Sequence, residues 1–204
     1  MEEKKAMIAK IIEIEWDMFQ HVQNIGGRAS CQDDRETFEI MRLSQYENWT
    51  DAMLRLYLEH LLRSQQDGRN LIAEKYGRMM EFTEPQYYKE EIEPKIPALS
   101  ETARRLIEET VQILIPWEID FCRKYPKLGR AGRPILSTGD ASGFTSMETY
   151  ARGELATYPE QLLQEYFDYL QELREDGKSI SVLDREIMTK LYGYATIQDA
   201  ENSL

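Results

Sequence analysis

A short polar segment, residues 24–34, interrupts a helical pattern with groups that could bind or attack a ligand. Its paired glycines, Gly26 and Gly27, let the backbone adopt positive φ and turn its N–H groups toward a ligand. A guanidinium, a thiol and an amide follow within a few positions. Three side chains of the segment are therefore candidate site residues: Arg28, Cys31 and Gln32.

Cys31 is a candidate nucleophile because it follows a glycine turn and precedes the expected start of a helix, a setting that activates thiols. A thiolate nucleophile normally needs a base, and the chain has only two histidines. One of them, His21, lies away from the apolar face of its predicted helix. The alternative is that Cys31 is a small packed residue without a chemical role.

Two glutamates occupy positions where a helix should be apolar. At about 100° per residue, Glu15 falls within the stripe formed by Ile8 and Phe19. Glu118 falls in the same way within the stripe around Ile107. A carboxylate on a core face is costly unless it is paired, hydrogen-bonded or protonated. Both acids are therefore candidate catalytic acid–base residues, and a buried salt bridge with an arginine is the alternative for each.

The helix predicted after the glycine segment carries Arg42 and Gln45 on its apolar face. Arg42 is a natural partner for either buried glutamate, and equally a clamp for a substrate carboxylate or phosphate. Further along, Arg69 lies between two predicted helices and could bind an anion. Tyr76 and Tyr150 could donate hydrogen bonds to a ligand. The predicted substrate-binding residues are Arg28, Gln32, Arg42, Gln45, Arg69, Tyr76 and Tyr150.

The motif content argues against most familiar metal and cofactor sites. There is no His-Glu-x-x-His sequence, no Glu-x-x-His pair, and no glycine-rich nucleotide fingerprint or P-loop. No metal site is predicted, although an all-carboxylate magnesium or manganese site using Glu15, Glu118 or Asp33 stays open. The sequence leaves any cofactor unknown.

Residues 126–143 are rich in glycine and predict a long loop with three basic residues, Lys127, Arg130 and Arg133. This is the best basic patch in an acidic chain. We expect the segment to be mobile and to close over an anionic ligand. An ordinary surface connection is the alternative.

The remaining pattern is helical nearly throughout and contains no convincing strand. Apolar stripes predict helices over about 3–23, 70–82 and 182–192. Other helices should begin at capping residues, which are Asp33, Thr50, Ser100, Thr145 and Thr157. Gly68 and Gly177 should end two of them. The sequence predicts one irregular all-α domain over residues 1–204, with seven to nine helices.

Composition excludes some function classes. The 204 residues include 25 Lys and Arg against 37 Asp and Glu, a net charge of −12. Nucleic acids and anionic membranes attract basic surfaces, so neither is an expected partner. No apolar run reaches the roughly 20 residues of a membrane span, and the charged N-terminus is not a signal peptide. Two distant cysteines fit a cytoplasmic protein with reduced thiols.

Seven segments resemble a family of uncharacterised bacterial proteins that is filed only as a domain of unknown function. They are Gly26–Asp33, Ile40–Arg42, Ser44–Gln45, Gly68–Leu71, Glu74–Tyr76, Thr145–Tyr150 and Gly153–Leu155. The resemblance covers nearly the whole chain and implies a bacterial, cytoplasmic, single-domain protein. It carries over no activity, cofactor or catalytic residue. The polar character of these motifs is typical of a binding pocket.

These features favour a small-molecule enzyme of hydrolase or lyase type, with catalytic residues Glu15, Glu118 and Cys31, acting on a polar or anionic substrate. The alternative is a helical ligand-sensing or protein-interaction module without catalysis. The sequence leaves homo-oligomerisation open. An enzyme should gather its acids and arginines around one pocket, whereas a docking module should expose an apolar patch.

Overall fold

The computed structural model describes residues 2–24 and 27–204. These residues form eleven α-helices and no strand, apart from one isolated bridge between Ala141 and Phe144. The helices are α1 Glu2–Gln20, α2 Arg35–Tyr46, α3 Asp51–Gln66, α4 Leu71–Thr83, α5 Pro85–Tyr87, α6 Glu101–Lys124, α7 Pro126–Ala131, α8 Met147–Leu155, α9 Glu160–Glu175, α10 Ile180–Leu191 and α11 Ile197–Ser203. The predicted all-α class is confirmed. The predicted number of helices was too low because short ones, such as α5, α7 and α11, were not anticipated.

The chain divides into two compact units, Met1–Ala73 and Glu74–Leu204, called here unit 1 and unit 2. The single domain predicted over residues 1–204 stays a prediction. Over the residues that the structure describes, no helix is long and apolar enough to cross a membrane.

Unit 1 is built on α1, which packs against both α2 and α3. Its core includes Ile11, Leu54 and Leu61, all fully buried. Thr50 caps α3 as predicted, since its side chain accepts a hydrogen bond from the Met53 N–H at 3.2 Å. The order of elements brings the polar positions of α1 and α2 into contact within this unit.

Unit 2 is organised around the long helix α6, which contacts α7, α8, α9 and α10. Ser100 caps this helix as predicted, accepting a hydrogen bond from the Ala103 N–H at 3.0 Å. The core around it contains Leu106, Leu162 and Leu170, each at most 1% exposed. The helix therefore forms a fixed support on which α8 presents its polar residues.

Three predicted helix caps were wrong by one or two positions. Asp34, not Asp33, caps α2 and accepts a hydrogen bond from the Thr37 N–H at 3.0 Å. Ser146, not Thr145, caps α8. Each true cap has an adjacent competitor of similar chemistry, so pattern alone did not separate them.

The third wrong cap is Thr157. Its hydroxyl donates to the Glu154 carbonyl at 2.7 Å and so belongs to the end of α8. Pro159 stands at the start of α9, where a fixed φ suits the entry to a helix.

The predicted loop over 126–143 was wrong in its first third, which forms α7. Pro126 occupies the first position of this helix, where its missing N–H costs nothing. Gly129 suggested a loop, but its role is close packing. A Cβ there would lie 2.8 Å from Cys122 Sγ. Glu201 completes the helix by accepting hydrogen bonds from the N–H groups of Lys127 and Leu128, both at 2.9 Å.

Candidate functional site

Unit 1 holds a buried polar cluster centred on Glu15. The side chain is 1% exposed, and Tyr57 donates its hydroxyl to Oε1 at 2.8 Å. Arg42 Nε lies 3.3 Å from Oε2, and Arg42 Nη1 donates to Gln45 Oε1 at 3.1 Å. The predicted partnership of Glu15 with Arg42 is therefore present, and Gln45 orients the arginine. The catalytic role of Glu15 stays a prediction.

Glu118 has a different environment in unit 2. Both of its carboxylate oxygens accept hydrogen bonds from Arg185, at 2.9 and 2.8 Å. Arg185 also donates to the Ser181 carbonyl and lies over the Phe121 ring, 4.4 Å from its centroid. This is the buried salt bridge considered as the alternative, and the catalytic role of Glu118 stays a prediction. A cluster shared by Glu15 and Glu118 would span both units and stays a prediction.

The amide of Gln32 is occupied completely by the protein. Its Nε2 donates to the Phe19 and Val22 carbonyls, while Oε1 accepts from Asn24 Nδ2 and the Ala29 N–H. The side chain is 1% exposed. These four bonds fix the end of α1 to the segment that follows it. Gln32 therefore has a structural role, and substrate binding by this residue stays a prediction.

The other residues of the glycine segment lie at the surface. Gly26 is outside the described residues, whereas Gly27 has a φ of +88°. Arg28 is exposed and bound to Asp33, with Nε 2.9 Å from Oδ1. Cys31 is an exposed free thiol within a 3-10 turn. The roles predicted for Arg28 and Cys31 stay predictions.

Arg69 follows the glycine that ends α3. Gly68 has a φ of +68°, as its predicted capping role requires, and the Arg69 N–H binds the Ser64 carbonyl at 2.8 Å. This is a common geometry for a helix C-terminus. Anion binding by the Arg69 side chain stays a prediction.

Unit 2 contains a second buried polar cluster, which we call the lysine cluster: Lys75, Tyr150, Glu154 and Tyr158. Lys75 is 2% exposed, and its Nζ donates to the Tyr150 hydroxyl oxygen at 2.8 Å. The same nitrogen lies 3.4 Å from Glu154 Oε2. Tyr158 donates its hydroxyl to Glu154 Oε1 at 3.1 Å. One buried ammonium thus links a phenol to a carboxylate.

Aromatic rings and a second cation surround this cluster. Lys75 Nζ lies 4.5 Å from the centroid of the Tyr150 ring and 5.3 Å from that of Tyr76. The Arg133 guanidinium carbon is 5.2 Å from the Tyr150 ring. Such contacts stabilise cations over ring faces. Tyr150 is therefore flanked by a buried ammonium and an exposed guanidinium.

A glycine allows α8 to approach the helix that carries Lys75. A Cβ at Gly153 would lie 2.8 Å from Met79 Cγ and 3.0 Å from the Lys75 carbonyl oxygen. Because one of these neighbours is backbone, the space cannot be regained by a rotamer change. The absence of a side chain at position 153 is what places Tyr150 and Glu154 within reach of Lys75.

The start of α8 is fixed by the segment that precedes it. Asp140 accepts hydrogen bonds from the Ser146 N–H and the Thr149 hydroxyl. Glu148 accepts from the Ser137 N–H at 2.7 Å and pairs with Arg152 at 2.8 Å. Burial raises the pKa of the Glu148 carboxyl, but these hydrogen bonds lower it more, so the net pKa is below its ordinary value. The orientation of Tyr150 is therefore set by a rigid turn.

Sequence reasoning named Tyr150 and Tyr76 but missed Lys75, Glu154 and Tyr158 as members of one cluster. The signal for Lys75 was present. It lies three positions after Ile72 and four before Met79, two residues that are 3% exposed. The helical phase test that identified Glu15 would have identified this lysine too. The partners, 75 and 79 positions away, had no comparable signal.

A metal site would need acidic, thiol or imidazole side chains to converge. Across residues 2–24 and 27–204, no group of three or more such side chains is placed to hold a metal ion. The carboxylates closest to the lysine cluster are instead occupied by protein donors, as described for Glu148 and Glu154.

Comparison with known proteins gives a family and no activity. The model of a family described as a protein of unknown function, DUF4125, matches residues 5–202. The resemblance found in the sequence motifs therefore extends over almost the whole chain. No curated protein and no solved structure matches it.

Proposed function

Since the chain belongs to the DUF4125 family, whose function is unknown, we propose a function from the lysine cluster itself. The protein is an acid–base enzyme of hydrolase or lyase type that acts on a small polar or anionic molecule without an organic cofactor. Tyr150 is its proton donor. The observation that carries this proposal is the 2.8 Å contact between Lys75 Nζ and the Tyr150 oxygen.

The direction of that hydrogen bond determines what Tyr150 can do. An ammonium group has three donors and no acceptor, so the Tyr150 oxygen must be the acceptor. The phenolic hydrogen of Tyr150 then points away from Lys75 and is available to a ligand. When this hydrogen is transferred, the charge that develops on the oxygen lies 2.8 Å from a fixed cation. A preorganised cation at this distance stabilises such a charge.

Glu154 acts as a positioning residue in this arrangement. Its carboxylate pairs with Lys75 and is held from the other side by the Tyr158 hydroxyl. An isolated buried ammonium would be costly, and pairing with hydrogen bonding reduces that cost. Glu154 and Tyr158 therefore hold the Lys75 ammonium in position beside Tyr150.

The test is a turnover screen with a matched pair of tyrosine variants. The protein is incubated with small carboxylates, phosphate monoesters and neutral polar compounds, and products are followed by mass spectrometry. We expect turnover of at least one class. Tyr150→Phe should lower it about 10²- to 10⁴-fold, the usual contribution of general acid catalysis. Tyr192→Phe, at an exposed tyrosine, should leave it unchanged. Full turnover by Tyr150→Phe would refute the proposal.

A ligand-sensing or interaction module is the second candidate, and one feature favours it. Several large apolar side chains are exposed near the C-terminal helices of unit 2, at between 37% and 63%. They are Leu191, Tyr192, Tyr194 and Leu204. An exposed apolar group of this kind is typical of docking surfaces. Binding of a compound from the screen without any turnover would favour this candidate over the enzyme.

A further inference from the structure

We propose that the ligand of the lysine cluster carries a carboxylate or phosphate group, and that Arg133 binds this group beside the Tyr150 hydroxyl. The inference rests on the proposed function for the identity of the site. It adds a specificity-determining residue and a chemical class of substrate.

Arg133 is held in place by one end of its guanidinium. Nη1 donates to the Thr145 carbonyl at 3.1 Å and to the Thr145 hydroxyl at 2.8 Å. The planar group lies against the Tyr150 ring, and the residue is exposed. Its orientation is therefore fixed while part of it remains accessible to solvent.

The other edge of the same guanidinium is unused. Among the residues that the structure describes, Nε and Nη2 of Arg133 make no hydrogen bond and no ion pair. These two nitrogens form the side edge, which presents two parallel N–H groups. That edge matches the two oxygens of a carboxylate or phosphate. A preoriented arginine with this edge open is suited to bind an anion.

The charges around Arg133 also favour an anion. Lys75 lies on the Tyr150 ring as a second cation. The nearby acids are already engaged, Glu148 by Arg152 and the Ser137 N–H, and Asp140 by Ser146 and Thr149. Arg152 offsets the charge of Glu148, and neutral donors occupy the oxygens of Asp140. The immediate surroundings of Tyr150 are therefore more positive than the net charge of the chain suggests.

The helix terminus nearby does not provide an alternative anion site. At the start of α8, the N–H groups of Met147 and Glu148 bind the Pro134 and Ile135 carbonyls, and the Thr149 N–H binds Ser146. Backbone donors are thus consumed. The anion has to be recognised by side chains, and the open edge of Arg133 with the nearby Tyr150 hydroxyl offers three donors.

The test uses inorganic phosphate and malonate as probes, titrated separately by calorimetry into the full chain. We expect at least one of them to bind saturably, and the comparison of their affinities distinguishes a phosphate from a carboxylate ligand. Arg133→Gln should weaken that binding at least tenfold, and Arg133→Lys should weaken it less. Arg130→Gln, at an exposed arginine of α7, is the matched control and should bind like the wild type. Circular dichroism checks that each variant is folded.

Two results would overturn the inference. One is that neither probe binds to the wild type. The other is that Arg130→Gln weakens binding as much as Arg133→Gln, since the effect would then be diffuse attraction. Neither result concerns proton transfer, which Tyr150→Phe tests in the turnover screen. If Arg133→Gln loses the probe while Tyr150→Phe turns over normally, the anion site stands and the acid–base role fails.

Discussion

Two buried ion pairs of unit 2 use similar side chains for different purposes. Glu118 and Arg185 satisfy each other through two parallel hydrogen bonds. Glu154 meets Lys75 through one longer contact of 3.4 Å, and the lysine gives its shorter bond to a phenol. The first geometry neutralises two charges and leaves nothing to react. The second holds a cation against a group that can transfer a proton.

The Glu118–Arg185 pair should be structural, and a double variant can show it. Glu118→Leu leaves Arg185 without its bidentate partner and should lower the free energy of unfolding by about 3 kcal/mol. Adding Arg185→Leu should recover most of this loss, because two apolar residues replace the pair. Urea denaturation measures both. Loss of turnover in the stable double variant would instead assign Glu118 a chemical role.

The free energy of unfolding should be sensitive to replacement of the Gln32 amide nitrogen by an oxygen. Gln32→Glu replaces the amide nitrogen, which donates to two carbonyls of the α1 terminus, by an acceptor. Placing acceptors face to face in a buried site should cost about 3 kcal/mol of unfolding free energy. The control is Gln23→Glu, an exposed position nearby. Equal chemical denaturation curves for the two variants would contradict the structural role of Gln32.

For individual residues, the sequence predicts which side chains are buried better than it predicts their hydrogen-bond partners. The phase of each helix placed Glu15 and Glu118 among apolar residues, and both are buried. It could not predict that Arg185, 67 positions from Glu118, completes the pair. For Gln32, the polarity of the segment indicated a ligand, but the amide is used by the protein's own backbone. Which group receives a hydrogen bond depends on packing that one-dimensional patterns do not contain.

At the scale of elements, the packing of α8 on α4 depends on the bare backbone at Gly153. Capping residues were predictable where a single candidate stands before an apolar stripe, as at Thr50 and Ser100. Capping residues were not predictable where two candidates are adjacent, as at Thr145 and Ser146. The helix α7 was missed because Gly129 indicates flexibility in the sequence and close packing in the fold.

Gly153→Ala should separate the two helices that form the lysine cluster. The new Cβ would lie 3.0 Å from the Lys75 carbonyl oxygen, so backbone has to move. Overpacking of this kind costs about 1–3 kcal/mol, and we expect binding of the anionic probe to weaken as Tyr150 shifts. Gly132→Ala is the matched control, because its Cβ would have only one neighbour, at 3.6 Å. Thermal unfolding and probe titration that do not distinguish these variants would refute the close approach.

For the whole molecule, the free energy of unfolding should fall in acid, below about pH 4.5. The carboxyls of two glutamates, Glu148 and Glu201, have a pKa below the ordinary 4.5. For Glu201, burial raises the pKa, but hydrogen bonds from the Leu128 and Lys127 N–H groups lower it more. A lowered pKa in the folded state means that the ionised form stabilises the fold. This contribution is complete above pH 4.5 and is lost as the pH falls below it.

The unfolding midpoint should therefore fall with acid from about pH 4.5 downward. The double variant Glu148→Gln and Glu201→Gln should have a lower midpoint at neutral pH and a flatter acid limb. The net charge of −12 acts the other way, since protonation on the approach to the isoelectric point near 4.8 relieves repulsion. Scanning calorimetry over pH 3–7 measures both trends. Parallel acid limbs for the wild type and the variant would contradict the assignment.

The contact between Lys75 and Tyr150 also determines how a destabilising substitution outside the lysine cluster would affect the measured binding of a probe. It closes a loop of 75 residues, which costs roughly 4 kcal/mol of chain entropy. One charged hydrogen bond supplies about 1.5–3 kcal/mol, so the bond cannot close the loop alone. Packing of α6 on α8 and α9 has to exist first. A destabilising change such as Glu118→Leu, studied near its unfolding transition, should then lower the number of binding sites per protein molecule and leave the Kd of the remaining sites unchanged.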